Sequence, residues 1–163
     1  MATNPAFETI VCPLSDGATA KAAALILAGH CVAVPTETVY GLAADATNPD
    51  AVARIYAAKG RPAFNPLIVH IRDLAHAETL AHFCDAARAL AAAHWPGPLT
   101  LVLPARLGNG IARLATAGLA TIALRMPNHP AMRDLLFSSM RPLAAPSANA
   151  SGTISPTRAA HVL

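Results

Sequence analysis

The chain has 163 residues, of which 54% are hydrophobic, 4% are aromatic and 13% are charged, and its formal net charge is +3. This length suits one domain with a sizeable core. The weak basic balance, without any basic run, does not indicate nucleic-acid binding by itself. The N-terminal stretch lacks a signal-peptide pattern, and no apolar run approaches the roughly 18 residues of a membrane span. We therefore expect a cytoplasmic protein without a membrane segment.

Helix and strand signals alternate along the chain. The first half predicts a helix over residues 15–30, a strand over 31–35, a loop over 36–47, a helix over 48–60, a strand over 66–71, a helix over 84–95 and a strand over 99–104. The second half predicts a strand over 121–126, a helix over 129–139, and a strand tip with a small-residue loop over 142–157, and a helix begins at 157. Residues 105–120 are ambiguous. These assignments follow hydrophobic periodicity and turn residues.

Residues 48–60 carry the clearest helix signal. Asn48 is a good N-cap, Pro49 suits the first turn, and Asp50 meets the positive end of the helix dipole. Gly60 suits the left-handed position that ends a helix.

The alternation of elements predicts an α/β sheet with helices on its faces. Helical crossovers favour parallel pairing, with some antiparallel strands possible. The last helix signal has no cap, glycine or proline after it. We therefore expect one domain over residues 1–163 that is truncated at its C-terminus.

The cysteines indicate no metal or disulfide site. Cys12, Cys31 and Cys84 are an odd number with wide spacing, and no CxxC pair occurs. The seven histidines fit no familiar metal site, so no protein metal ligand is predicted. Phosphate-binding glycine loops and nucleophile-elbow or HExxH motifs are also absent from the sequence.

Four segments with functional-looking side chains lie at predicted strand ends. They are PTETVYGL, KGRPAFNPLIVH, TIALRMP and APSANASGTISPT. Ligands of open α/β sheets bind outside the carboxyl ends of strands. We therefore expect these segments to converge at one cleft.

Most of these residues also have a simpler interpretation. Lys59 and Arg61 at a helix C-terminus are favoured by the dipole alone. His70 fits a core histidine, and Glu37 fits a solvated side chain better than a general base. Arg125 differs, because an arginine in an apolar strand is costly unless it meets an anion or another partner.

Taken together, the four ordered segments resemble the YrdC family of threonylcarbamoyl-AMP synthases. The signature of that family is Lys-x-Arg followed far downstream by Ser-x-Asn, here Lys59, Arg61, Ser147 and Asn149. The resemblance runs from about Cys31 to Thr157. It implies a single α/β domain with a twisted, open, mixed sheet flanked by helices and a concave basic face.

The resemblance also implies a reaction. L-Threonine, bicarbonate and ATP become threonylcarbamoyl-adenylate and pyrophosphate, and tRNA-modification proteins downstream use the product. Mg²⁺ accompanies ATP and bridges its phosphates with few protein ligands.

Residue roles follow by analogy with the family. The four signature residues are implied as catalytic, with Lys59 and Asn149 facing the phosphates. ATP binding is implied for Arg61, Asn65, Thr121, Ser147 and Ser155. Threonine binding is implied for Thr38, Tyr40, His70, Arg125 and Ala145, with Arg125 pairing with the threonine carboxylate.

Two alternatives stay open. One is a nucleotide- or RNA-binding paralogue without synthase activity, which the basic net charge favours and in which RNA binding would be weak. The other is a carbamoyl-transfer domain, because the same fold occurs in hydrogenase-maturation and carbamoyltransferase proteins.

Overall fold

The computed structural model describes residues 9–163. The N-terminal stretch is predicted to lack a signal peptide. Its first part, residues 1–8, lies outside the described residues. The described elements in chain order are α1 (Asp16–Leu27), β1 (Val32–Pro35), β2 (Tyr40–Asp45), α2 (Pro49–Lys59), β3 (Ile68–His70), α3 (Leu74–Leu80), α4 (Asp85–His94), β4 (Leu101–Pro104), β5 (Thr121–Arg125), α5 (Pro130–Ser139), β6 (Leu143–Ala144) and a 3₁₀ turn at Ala159–His161.

Local capping signals account for the helix that positions the candidate site. The Asn48 side chain accepts hydrogen bonds from the backbone N–H groups of Asp50 and Ala51 at 3.0 and 3.2 Å. Gly60 ends α2 in the left-handed conformation, with φ +56°. The predicted start and end of this helix are therefore confirmed.

Other local predictions were wrong. The segment 36–47, predicted as a loop, contains β2. This strand is rich in Gly and Ala, which have low strand propensity, and it forms because it pairs with neighbours on both sides. Helix α3, which was not predicted, is only seven residues long. Past residue 157, the expected helix is only a 3₁₀ turn.

The six strands of the described chain form one open, mixed sheet in the order β1-β2-β6-β3-β5-β4. Only β3 and β5 pair in parallel, and the other four neighbouring pairs are antiparallel. The expected preference for parallel pairing was therefore wrong. The short β6 inserts between β2 and β3 and runs antiparallel to both, so α2 joins two strands that are not neighbours.

Helices cover both faces of the sheet, as the α/β prediction required. Helices α1 and α5 pack against each other and against one face through side chains such as Ile26, Leu136 and Leu143. Helices α2, α3 and α4 contribute to a second cluster with Val69 and Leu124. Both clusters contain many alanines, which suits the low aromatic content. Within residues 9–163, every helix is too short or too polar to cross a bilayer.

Candidate active site

Lys59, the last residue of α2, is buried with only 4% of its surface exposed. Its Nζ donates a hydrogen bond to the carbonyl oxygen of Ser147 at 2.6 Å and another to the carbonyl oxygen of Asn149. In return, the Lys59 carbonyl accepts from the backbone N–H of Ser151 at 2.8 Å. Burial first, and then the charge of Arg61, lower the pKa of Lys59. Two of its three N–H donors are used here, so at most one remains for a phosphate.

Arg61 is held by the carbonyl groups of its own loop. Its Nε donates to the carbonyl oxygen of Asn65 at 3.1 Å, and its Nη2 donates to that of Pro66 at 3.0 Å. The Tyr56 hydroxyl lies 2.9 Å from the same Asn65 oxygen and 3.1 Å from the carbonyl oxygen of Leu114. These contacts fix the guanidinium while leaving further N–H donors available.

A cleft of about 570 Å³ lies between the end of α2 and the loop that follows β6. Its lining residues are Lys59, Gly60, Arg61, Pro62, Asn65, Ser147, Asn149, Ser151, Gly152, Thr153 and Ser155. The structure thus brings together all four signature residues and two further predicted ATP-binding residues, Asn65 and Ser155. The predicted residue Thr121 does not line the cleft. It lies exposed at the start of β5, opposite Pro104.

Asn149 shapes the far wall of this cleft. Its Nδ2 donates to the carbonyl oxygens of Ala150 and Thr153 at 2.9 and 2.8 Å. Its buried Oδ1 has no hydrogen-bond partner among residues 9–163. A buried acceptor without a partner is costly, so this oxygen is suited to a ligand donor or cation.

A second group of polar side chains lies where β5 ends, and we call it the Arg125 cluster: Glu37, Thr38, His70 and Arg125. Arg125 is 7% exposed, and its Nη2 donates both to Glu37 Oε1 and, at 3.2 Å, to Thr38 Oγ1. The other carboxylate oxygen of Glu37 accepts from the backbone N–H of Asn128 at 3.1 Å. The expected partner of Arg125 is therefore present within the protein. The interpretation of Glu37 as a solvated side chain was wrong.

The requirement of Arg125 for an anion was the signal that could have identified Glu37. Among the four strand-end segments, PTETVYGL contains the only acidic residue. A buried arginine on one segment and a single carboxylate on another are natural partners, because a buried charge must be paired.

His70 is 2% exposed and lies directly opposite Arg125 in the parallel register of β3 and β5. Its Nδ1 is buried and has no hydrogen-bond partner within the described chain. Burial lowers the pKa of His70 to about 4, outweighing nearby backbone groups that raise it. The imidazole is therefore neutral at pH 7, and it borders Arg125 without adding a charge.

Main-chain hydrogen bonds link the cleft to the Arg125 cluster. The Tyr40 N–H donates to the carbonyl oxygen of Pro156, and the Tyr40 carbonyl accepts from Ala148, both at 2.8 Å. The N–H of Ala145 donates to the carbonyl oxygen of Ile68 at 3.0 Å. The loop after β6 therefore runs beside Tyr40 at the start of β2, and Thr38 lies two residues earlier, in the turn between β1 and β2.

Comparison with known proteins identifies the family. A family model described as Sua5/YciO/YrdC, telomere recombination, matches residues 24–163. The chain belongs to this family. This Sua5/YciO/YrdC chain is 52% identical over 149 residues to a threonylcarbamoyl-AMP synthase of Bacillus subtilis, and the match covers 91% of the chain and 43% of the relative.

Several solved structures match this fold, among them those of P. abyssi Sua5 and of HypF. The P. abyssi Sua5 crystal structure in complex with L-threonine has a TM-score of 0.88 and 50% identity, covering 92% of this chain and 44% of that one. Full-length HypF in its phosphate- and nucleotide-bound form has a TM-score of 0.82 at 20% identity, over 94% of this chain and 20% of that one. At this identity, HypF shows the fold alone. The chain spans about two fifths of the length of its curated B. subtilis and P. abyssi relatives.

Proposed function

We propose that this chain forms threonylcarbamoyl-AMP from L-threonine, bicarbonate and ATP and releases pyrophosphate. The main support for the proposal is that the loop after β6 connects two polar regions. This loop lines the cleft, and its main chain hydrogen-bonds to Tyr40 beside the Arg125 cluster. The product would supply the threonylcarbamoyl modification of tRNA through other proteins downstream. This role would place the protein in the cytoplasm.

The cleft is the proposed ATP site. Arg61 supplies a fixed guanidinium, and such a fork binds two phosphate oxygens at once. Ser147 and Ser155 line the same cleft and offer hydroxyl donors for phosphate oxygens. Lys59 contributes its positive charge and holds the loop that carries Ser147 and Asn149.

The Arg125 cluster is the proposed threonine site. Arg125 would bind the substrate carboxylate through donors that its protein partners leave free. Thr38 and the neutral His70 border the guanidinium and offer polar atoms for the rest of the substrate. Tyr40 and Ala145 would complete the pocket through their positions beside the loop after β6.

The proposed reaction depends on alignment of the two reactants more than on covalent catalysis. The threonine amine captures bicarbonate as a carbamate, with loss of water. A carbamate oxygen then attacks the α-phosphorus of ATP, and pyrophosphate leaves. Holding the two reactants side by side removes much of the entropic cost of their encounter. Fixed positive groups such as Arg61 stabilise the charge that develops on the phosphates.

The proposed cofactor is Mg²⁺, bound together with ATP. Within the described part of the chain, no three His, Cys, Asp or Glu side chains cluster closely enough to hold a metal ion. The cleft supplies neutral oxygens instead, among them the unpartnered Asn149 Oδ1. These fit a magnesium ion held mainly by phosphate oxygens and water. Such an ion would neutralise charge on the phosphates.

A pyrophosphate-release assay tests this function. The protein is mixed with ATP, MgCl₂, L-threonine and bicarbonate, and the adenylate product is identified by mass spectrometry. We expect pyrophosphate release to require both threonine and bicarbonate. Release that does not depend on threonine, or ATP binding without turnover, would instead favour the nucleotide-binding alternative. Turnover of carbamoyl phosphate in place of threonine would favour the carbamoyl-transfer alternative.

A further inference from the structure

Glu37 is bound on both of its carboxylate oxygens. Oε1 accepts from Arg125 Nη2, and Oε2 accepts from the backbone N–H of Asn128 at 3.1 Å. The Glu37 side chain is 19% exposed, so these contacts hold it in a largely desolvated position. It comes from the turn between β1 and β2, whereas its two partners belong to β5 and the segment after it.

Both members of this ion pair keep unused hydrogen-bonding capacity. A carboxylate has about four acceptor sites, and the two contacts of Glu37 leave roughly half of them free. Arg125 uses only Nη2 in its contacts with Glu37 and Thr38. Among the residues that the structure describes, its Nη1 makes no hydrogen bond and is not shielded, whereas its Nε is buried without a partner. The pair can therefore offer an acceptor and a donor to one ligand at the same time.

The charges of the Arg125 cluster already balance. Arg125 is positive, Glu37 is negative, and Thr38 and His70 carry no charge at pH 7. A ligand with a carboxylate alone would leave a net negative charge in a desolvated site, which is costly. A ligand with both an ammonium and a carboxylate adds no net charge to the cluster. Its ammonium can pair with Glu37 and its carboxylate with Arg125.

We propose that Glu37 is a specificity-determining residue that binds the ammonium group of a zwitterionic amino acid while Arg125 binds its carboxylate. This inference rests on the proposed function, because it assigns a further role within the threonine site. It makes the site selective for α-amino acids over simple carboxylic acids. Without the carboxylate of Glu37, Arg125 would be a general anion site.

The test compares two ligands by isothermal titration calorimetry. L-Threonine and (R)-3-hydroxybutyrate share the hydroxyl and the carboxylate, and only threonine has the ammonium group. We expect the wild-type protein to prefer threonine by about tenfold or more, as a charge-assisted hydrogen bond would provide. Glu37→Gln should reduce this preference at least tenfold by weakening threonine binding and leaving 3-hydroxybutyrate binding equal or tighter. Glu37→Asp keeps the negative charge and should retain a preference for threonine.

Glu78→Gln is the matched control, because Glu78 also pairs with an arginine, the exposed Arg88. It should change neither affinity. If Glu37→Gln weakens both ligands by the same factor, Glu37 only positions Arg125 and the inference is overturned, although the proposed function stands. Equal affinity of the wild-type protein for the two ligands also overturns the inference, and this measurement does not depend on how the variants fold. If the wild-type protein does not bind threonine, the proposed function and the inference fail together.

Discussion

The ammonium nitrogen of Lys59 lies 2.6 Å from the carbonyl oxygen of Ser147, and it also donates to the carbonyl oxygen of Asn149. Two distant parts of the chain, 88 residues apart, are therefore joined by one side chain. The lysine of the Lys-x-Arg signature thus holds the Ser-x-Asn segment in place through its main chain. Its electrostatic contribution to the cleft acts from a fixed, buried position.

The role of Lys59 in holding the loop predicts a loss of stability in the Lys59→Met variant. Methionine fills a similar volume but leaves two carbonyl groups without their donor. An unsatisfied buried group costs about 1–3 kcal/mol, so the free energy of unfolding should fall by at least this order. Urea unfolding measures it, with Lys21→Met on the exposed side of α1 as the control. If Lys59→Met unfolds at the same urea concentration as the wild type, the carbonyl contacts do not stabilise the fold.

The parts of the fold that could be predicted from the sequence are those with local causes. Asn48, Pro49 and Gly60 mark the ends of α2 by their own conformational preferences, and the structure follows them. Strand β2 was missed because its Gly and Ala residues carry little preference of their own. It forms through pairing with β1 and β6, and β6 is about 100 residues away along the chain.

The candidate site likewise contains features that the sequence could predict and features that depend on the fold. Arg125 could be singled out from the sequence because a charge within an apolar strand needs a partner, whereas the identity of that partner depends on the fold. Glu37 reaches it only because the turn after β1 lies beside the end of β5. Sequence reasoning likewise could not show that Lys59 binds carbonyl groups, since both acceptors belong to the main chain.

Gly60, which separates Lys59 from Arg61, should be sensitive to substitution for backbone reasons alone. Its φ is +56°, and a Cβ there would meet nothing within 4 Å. Gly60→Ala should therefore reduce the free energy of unfolding by about 1 kcal/mol through strain, without a clash. Gly17→Ala is the matched control, because a Cβ at this position in α1 also meets open space and φ is not positive. It should stabilise the protein by roughly 0.5–1 kcal/mol, and urea unfolding of both variants should therefore give shifts of opposite sign.

Because of His70, the free energy of unfolding should decrease as the pH is lowered. Burial lowers the pKa of His70 from its ordinary value of 6.5 to about 4 in the folded protein. The unfolded chain therefore binds the proton first, so the contribution of His70 is fully present above pH 6.5 and is lost as the pH falls toward 4. The loss amounts to about 3 kcal/mol at most. Urea unfolding at pH 7.5, 6 and 5 should show a smaller decrease for His70→Gln than for the wild type. An imidazole NMR titration with a midpoint near 6.5 would contradict the prediction.

Arg61 should contribute directly to ATP binding, because two of its nitrogens are fixed by carbonyl groups and further N–H donors remain for phosphate oxygens. A charge-assisted hydrogen bond is worth about 1.5–3 kcal/mol, so Arg61→Ala should weaken ATP binding roughly tenfold or more. Arg61→Lys should recover only part of this loss, because an ammonium group cannot reproduce the planar fork. Calorimetric titration with ATP and Mg²⁺ measures the affinity, and urea unfolding separates loss of binding from loss of the contacts to Asn65 and Pro66. Arg88→Ala, at an exposed ion pair with Glu78, is the control and should leave ATP affinity unchanged. If Arg61→Ala binds ATP as tightly as Arg88→Ala does, the phosphates do not contact the guanidinium.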